Sequence, residues 1–492
     1  MPNDQYSYRQ IMKATSLFGG VQLVNIFIQI IRSKVVAVLL GPAGMGIMSL
    51  LNSTLALIKS GTDFGLGVSA VQEIALANNA NDDYRISKTV TVVRRLVWIT
   101  GTIGTVVVLV LSPLLSELAF GNREFTFSFI WVSVTLLFQQ LSTGQFVILQ
   151  GLRKMQLLAK ANVLGSALGL IMTLPFYYLY GADGIVAGMI GTGLIVLLLS
   201  WYFSRKITIE KVNLSYGKTF TDGKKMLKMG FMISLSGLLT IGASYILRIF
   251  INRTGGIDQV GLYDAGFLII NTYVGLVFTA MSTDYFPRLS AVSESNKRCK
   301  EIINQQSEIA IIILAPILVI FLIFIKEIVT LLYSYQFIEV NKMIYWAALG
   351  VFFKAITWAI GYILLAKSNS KIFFISELVA NVYTLLFNII GYYYYGLEGL
   401  GISFLVSYML SLIQVFLIAK IKYDFSIGKN LMKIFIGQFS ISILGFLCTY
   451  FMIRSNAFIV GILIILISCS YSLKELDNRV NVKQYFSKNE KR

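Results

Sequence analysis

Four cations stand where an apolar chain would be expected to carry none. Arg32, Lys34, Arg248 and Lys354 each sit inside a run of aliphatic and aromatic residues. At the centre of a bilayer such a charge costs at least about 2.5 kcal/mol, even on the lenient insertion scale. Gln22, Asn25, Gln29 and Arg32 recur at steps of three, four and three, which puts them on one helical face. Ser236, Thr240, Ser244 and Arg248 do the same at steps of four. Stripes like these either line a water-filled cavity or hydrogen-bond one helix to another. Lys34, two residues past Arg32, projects toward nearly the opposite side. Lys354 has no acid within four residues, so its partner must come from another helix or from a ligand; the candidate counter-charge is Glu377, at the start of the eleventh span.

An excess of cations over acids at these positions implies an anionic ligand. Arginine grips a phosphate through paired hydrogen bonds, and lysine acts as a point charge. Several cations with no soluble domain suggest a diphosphate-bearing amphiphile. The residues expected to bind it are Arg32, Lys34, Arg248 and Lys354, with Gln29 and Asn25 beside them. Asp63 and Asp284 form a second set with Lys59 and Glu377. Both aspartates follow a threonine, precede an aromatic residue and lead into S-A-V-x-E. They read as a gate or as proton carriers, and Lys59 can neutralise Asp63 across one helical turn.

Other chemistries are excluded by what is missing. The chain has no histidine and three widely spaced cysteines, Cys299, Cys448 and Cys469. A His-dependent nucleophile and a His-ligated metal are therefore impossible, and the cysteines read as free thiols. There is no GxxxxGK[ST] phosphate loop. No catalytic residue, metal or cofactor is expected.

The elements that must position these residues are membrane helices. Hydrophobic residues make up 56% of the 492 and charged residues 13%, with a mean hydropathy of +0.73. Apolar segments of spanning length recur from 14–40 to 457–473, fourteen in all. The net charge of +18 is distributed unevenly. With the N-terminus inside, the inner loops and tails hold 32 of the 42 Lys and Arg; the outer loops hold Arg123, Arg253, Lys342 and Arg454. This bias makes the basic loops topology determinants, places both termini in the cytoplasm and argues against nucleic acid as a partner. Membrane lipids are the expected surroundings.

The chain also contains itself twice. TDFGLGVSAVQE (Thr62 to Glu73) returns as TDYFPRLSAVSE (Thr283 to Glu294), and YYLYGADG (Tyr177 to Gly184) as YYYYGLEG (Tyr392 to Gly399), 215 positions on. Arg32 and Arg248 are 216 apart. Six spans per repeat make the halves parallel, with a central cavity between them. The predicted fold is an all-α polytopic membrane protein of about fourteen helices: a six-helix bundle over 1–203, a cytoplasmic linker over 204–229, a second six-helix bundle over 230–421, an extra helix pair over 431–473 and a cytoplasmic tail over 474–492. The tyrosine clusters read as an outer aromatic belt. GPAGMG (Gly41 to Gly46) reads as a tight reversal between the first two spans.

SKVVAVLLGPAGMGIMSLLNS (Ser33 to Ser53), IDQVGLYDA (Ile257 to Ala265), DYFPRLS (Asp284 to Ser290) and FFKAITWAIGYILLAKSNSKIFFISEL (Phe352 to Leu378) resemble the Wzx-type O-antigen and enterobacterial common antigen flippases. These belong to the superfamily shared with multidrug and toxin extrusion transporters and lipid II flippases. The resemblance covers most of residues 11–421. Lys34, Lys354, Lys367 and Glu377 match the common-antigen flippase; Arg32 does not, and Asn52 stands where that relative carries arginine. The last two spans resemble the fourteen-helix lipid II flippases. The resemblance implies a transporter, not an enzyme, that moves an undecaprenyl-diphosphate-linked oligosaccharide to the periplasmic leaflet of a bacterial inner membrane. It implies alternating access driven by an H+ or Na+ gradient or the membrane potential. A polysaccharide polymerase and a chain-length regulator are the expected partners. The rival readings are a multidrug cation antiporter of the same superfamily and a membrane glycosyltransferase or ligase.

Overall fold

A glycine in a left-handed conformation divides the first helix. In the computed structural model, which describes residues 2–80, 82–210, 212–452 and 454–480, α1 (Pro2–Thr62) is broken at Gly41 (φ 66°, ψ −169°). Glycine adopts that φ without a Cβ clash, and Pro42 starts the next arm because its missing N–H is not needed there. The turn expected at Gly41 to Gly46 is therefore a single-residue break. α2 (Leu66–Asn79), α3 (Asp83–Phe120), α4 (Thr126–Val132), α5 (Val134–Gly151), α6 (Met155–Tyr180), α7 (Gly184–Ser204) and α8 (Tyr216–Gly255) follow. After them come α9 (Ile257–Leu268), α10 (Leu276–Ala291), α11 (Asn296–Leu332), α12 (Val340–Ala366), α13 (Ser370–Tyr423), α14 (Lys429–Phe451) and α15 (Arg454–Val480). No strand occurs among the described residues. Asp82, Ser215 and Ser295 each accept a backbone N–H three residues on, and so cap α3, α8 and α11.

The repeat is visible in backbone geometry. Gly181 (φ 54°, ψ −129°) and Gly396 (φ 58°, ψ −138°) occupy equivalent places after the two tyrosine clusters. The first tyrosine of each cluster is buried, Tyr177 and Tyr392, while Tyr178, Tyr180 and Tyr393 to Tyr395 are exposed. The belt is thus anchored by one inward ring in each repeat.

The chain is a multi-pass membrane protein. Among the described residues ten helices are long and apolar enough to cross a membrane, or eleven if α8, bent by 46° between Met232 and Gly237, is one broken span. Three of the ten, Val24–Thr62, Met155–Ser204 and Lys371–Tyr423, have 39, 50 and 53 residues. A helix rises 1.5 Å per residue, so about 20 residues cross the apolar core and these three are long enough to cross twice. Each contains one of the left-handed glycines, Gly41, Gly181 or Gly396. The count of fourteen requires each of them to be two spans. Reporter fusions after Lys225 and after Lys474 test it, since both are then expected to read cytoplasmic; a periplasmic signal at either site refutes the count or the orientation.

Packing divides the chain into two compact units at Gly261 and Leu262. The sequence repeat divides it over 204–229, and the difference has a local cause. α8, which opens the second repeat, packs on α1, α2 and α3 of the first unit. Within that unit Arg248 Nε donates to Ser49 Oγ at 3.0 Å and Thr54 Oγ1 donates to the Tyr245 hydroxyl at 3.1 Å. In the second unit the extra pair α14 and α15 packs on α11. There Gln438 Nε2 donates to Ser472 Oγ at 2.7 Å, and Arg479 bridges Glu308 (2.9 Å) and Glu475 (2.7 Å).

Candidate functional site

Lys354 faces a cavity inside the second unit, where polar side chains are set among aromatic and aliphatic ones. The cavity has a volume of about 500 Å³ and is walled by α12, α13 and the turn that precedes α10. Lys354 Nζ donates to Asn271 Oδ1 at 2.8 Å. It also lies 5.8, 5.7 and 5.4 Å from the ring centroids of Phe278, Phe404 and Tyr408. Electron-rich ring faces stabilise a cation in this way. Glu377 lines the same cavity, as the sequence suggested, but forms no ion pair with Lys354 among the described residues. The lysine is thus half-buried, held by neutral groups, and not neutralised.

Asn271 was invisible to sequence reasoning as a site residue. It lies in a π-helical turn over Ile269–Tyr273, between α9 and α10. One residue more per turn pushes the helix out locally, and such turns recur at functional sites. The signal available in advance was an amide inside the apolar run Ile269 to Gly275. Tyr285 was missed too. It is fully buried, donates to the Ala359 carbonyl at 2.6 Å and packs on Trp358 at 5.4 Å, fixing the cavity wall on α12.

In the first unit the expected set does not converge on one point. Arg32 is half-buried beside the Tyr177 hydroxyl. Asn25 is half-buried with its Oδ1 unpartnered, and Gln29 on the same face is exposed. Lys34 points elsewhere, into an open apolar groove with Val38, Leu174 and Tyr178, as its spacing from Arg32 demands. Arg248 is engaged by Ser49 and by Ser244, whose hydroxyl lies 2.5 Å from its guanidinium. The two stripes thus supply hydrogen bonds between helices at least at Arg248. Gln22 and Ser236 lie outside the described side chains.

The two repeat-related aspartates have different surroundings. Asp63 Oδ1 accepts from the Gly65 amide at 2.9 Å and from Ser234 Oγ at 3.0 Å, so it ties the turn after α1 to α8. Lys59, one turn back, supplies the nearby positive charge. Asp284 is 82% exposed and pairs with Arg288 at 3.8 Å, a contact of little energetic weight at such exposure. Asparagine keeps the acceptor oxygen of Asp63 but cannot titrate. Asp63→Asn is therefore expected to retain most activity and Asp63→Ala to lose it, with Asp284→Asn indistinguishable from the unmodified chain. An inactive Asp63→Asn protein with unchanged thermal unfolding would instead assign that carboxylate a proton-carrying role.

Residues 35–342 match the family described as Polysaccharide biosynthesis protein. The lipid III flippase of Escherichia coli (strain K12) is 20% identical over 371 residues, covering 75% of this chain and 88% of that protein. The fold is similar to that of the lipid II flippase MurJ in its inward closed conformation, with TM-score 0.70, 15% identity, and coverage of 95% of this chain and 99% of that one. It is also similar to an inward-facing multidrug resistance MATE family transporter of the MOP superfamily (TM-score 0.68, 16% identity, 84% and 96% covered).

Proposed function

Since the chain belongs to the polysaccharide biosynthesis protein family, we propose that it is a flippase for a lipid-linked saccharide precursor. The substrate is an undecaprenyl-diphosphate-linked oligosaccharide, such as an O-antigen, common-antigen or exopolysaccharide repeat unit. It is carried from the inner to the outer leaflet of a bacterial inner membrane by alternating access, driven by an H+ or Na+ gradient or the membrane potential. The observation that carries this reading is Lys354, a half-buried cation lining a cavity with no carboxylate bound to it. Burying an un-neutralised charge costs stability, and an anionic or strongly hydrogen-bonding cargo offsets that cost when bound. Arg32, Lys34 and Arg248, each in the first unit, are the candidates for holding the diphosphate. The lipid III flippase and the lipid II flippase, each similar to most of this chain, support the cargo class. A polymerase and a chain-length regulator are the partners such a cargo requires downstream.

The likeness to a multidrug transporter favours a second reading, a drug antiporter. A cavity for organic cations calls for carboxylates in excess of cations, and here the lining carries one of each, Glu377 and Lys354. The deciding experiment depletes the chain in its native cell and follows lipid-linked oligosaccharide by leaflet. Accumulation on the cytoplasmic side supports the flippase; normal export with raised drug susceptibility overturns it.

A further inference from the structure

We propose that the cavity of the second unit is a saccharide subsite, which takes a sugar ring of the cargo and leaves the diphosphate to be bound elsewhere. The inference rests on the flippase reading and names the part of the cargo this cavity holds.

Charge argues first. Among the described residues that line the cavity, Lys354 and Glu377 are the charged ones, one of each sign. A diphosphate wants several cations or a bidentate arginine. Here it would meet a single lysine, already engaged by Asn271 at 2.8 Å, and would be repelled by the Glu377 carboxylate. A sugar ring fits both charges. Its hydroxyls donate to a carboxylate, and its ring, hydroxyl or substituent oxygens accept from an ammonium.

The wall argues second. Thr357, Asn388 and Ser407 line the cavity and are 9%, 6% and 3% exposed. Each carries a side-chain oxygen with no hydrogen-bond partner. A buried polar atom left in that state costs about 1–3 kcal/mol. These three oxygens are closed off from the chamber, so a sugar hydroxyl reaches them only when their side chains turn. Asn381 and Ser411 add further polar groups. Polar groups set between aromatic and aliphatic faces suit a polyhydroxylated ligand whose ring faces are apolar.

Shape argues third. Trp358, Tyr362, Phe404 and Tyr408 present aromatic surface between these polar groups. Flat apolar faces with polar rims match a pyranose, whose C–H faces are apolar and whose edge is hydroxylated. At about 500 Å³ the chamber has small-molecule size. It is open at one further place: a Cβ added at Gly361, which lines it, meets nothing within 4 Å. A side chain added at that position therefore starts into open space.

The test is thermal unfolding of the purified full-length protein, titrated with a neutral methyl hexoside, a methyl hexuronide and inorganic pyrophosphate. At least one of the two sugars is expected to raise the unfolding temperature, with the effect lost in Gly361→Phe and reduced in Glu377→Gln, but kept in Gly361→Ala. Any shift caused by pyrophosphate is expected to survive Gly361→Phe. Three results overturn the proposal: no shift with either sugar, a sugar shift that persists in both Gly361→Phe and Glu377→Gln, or a pyrophosphate shift abolished by Gly361→Phe. This readout is independent of transport. If depletion leaves export normal while sugars still bind at Gly361, the flippase reading fails and the subsite stands. If export collapses but no sugar binds, the subsite alone fails.

Discussion

Replacing Lys354 by alanine is expected to abolish glycan export while the protein remains in the membrane at its usual level. The side chain has one hydrogen-bond partner, Asn271 Oδ1 at 2.8 Å, and three aromatic neighbours. Its removal strands no buried acid, so the fold loses little. A bound cargo loses a charged contact with this half-buried lysine. Truncating one partner of such a contact costs about 2–5 kcal/mol, or roughly 30-fold to several thousand-fold in binding. Arginine at the same position is expected to restore part of the activity, because charge is kept while the planar fork fits poorly among three rings. Asn271→Ala is expected to weaken export less, since it frees the lysine without removing it. Surface-exposed glycan measured in a strain lacking its own copy is the readout. Normal export by the alanine variant removes Lys354 from the site.

A large loss of stability is expected from alanine at Gly230. The Cβ it would add stands 1.8 Å from the Phe64 carbonyl oxygen, and one added at Gly65 would stand 2.3 Å from the Gly230 carbonyl oxygen. Both obstacles are backbone atoms, which cannot swing aside as a flexible side chain can. Overpacking of this kind costs about 1–3 kcal/mol and more where nothing yields. Gly65 adds a second penalty, because its φ of 56° is left-handed and a Cβ there costs about 1–2 kcal/mol. The contact sits where Asp63 accepts from Ser234, so forcing it apart also breaks that tie between the α1 turn and α8. Gly237→Ala is the matched control on the same helix: its Cβ would meet only Ser60 Oγ at 3.7 Å. Thermal unfolding in detergent is expected to leave Gly237→Ala unchanged or slightly stabilised and to lower Gly230→Ala by several degrees or prevent its accumulation. Equal behaviour of the two variants refutes the close approach.

What the sequence made legible follows the range of the forces involved. Spanning helices depend on uninterrupted apolar length, which is local, and they were read nearly in place. The breaks at Gly41, Gly181 and Gly396 depend on one residue's permissive φ and were legible as glycine turns. Ser244 and Arg248 were legible as a pair because a helix places i and i+4 together. Ser49, the other partner of Arg248, comes from a different helix and had no local signal. For the same reason Lys354 could be singled out, but Asn271 could not: its position depends on a π turn that no periodicity announces. Similar context does not fix the surroundings of Asp63 and Asp284. Their flanking residues agree, yet one is hydrogen-bonded across helices and the other is in the open. A repeat in sequence preserves ancestry better than it preserves environment.

The π turn over Ile269–Tyr273 also bears on how a duplicated gene diverges. A helix absorbs a single inserted residue by widening one turn, which spares the residues beyond it the rotation of about 100° about the axis that an added α-helical residue would cause. The stretch from Arg248 to Asp284, where this turn lies, is longer than its counterpart from Arg32 to Asp63. Length added there would re-aim an amide toward Lys354 without disturbing the helices that follow. Two copies that began as equals could in this way divide the labour, one free to specialise in recognising cargo while its twin kept the older geometry.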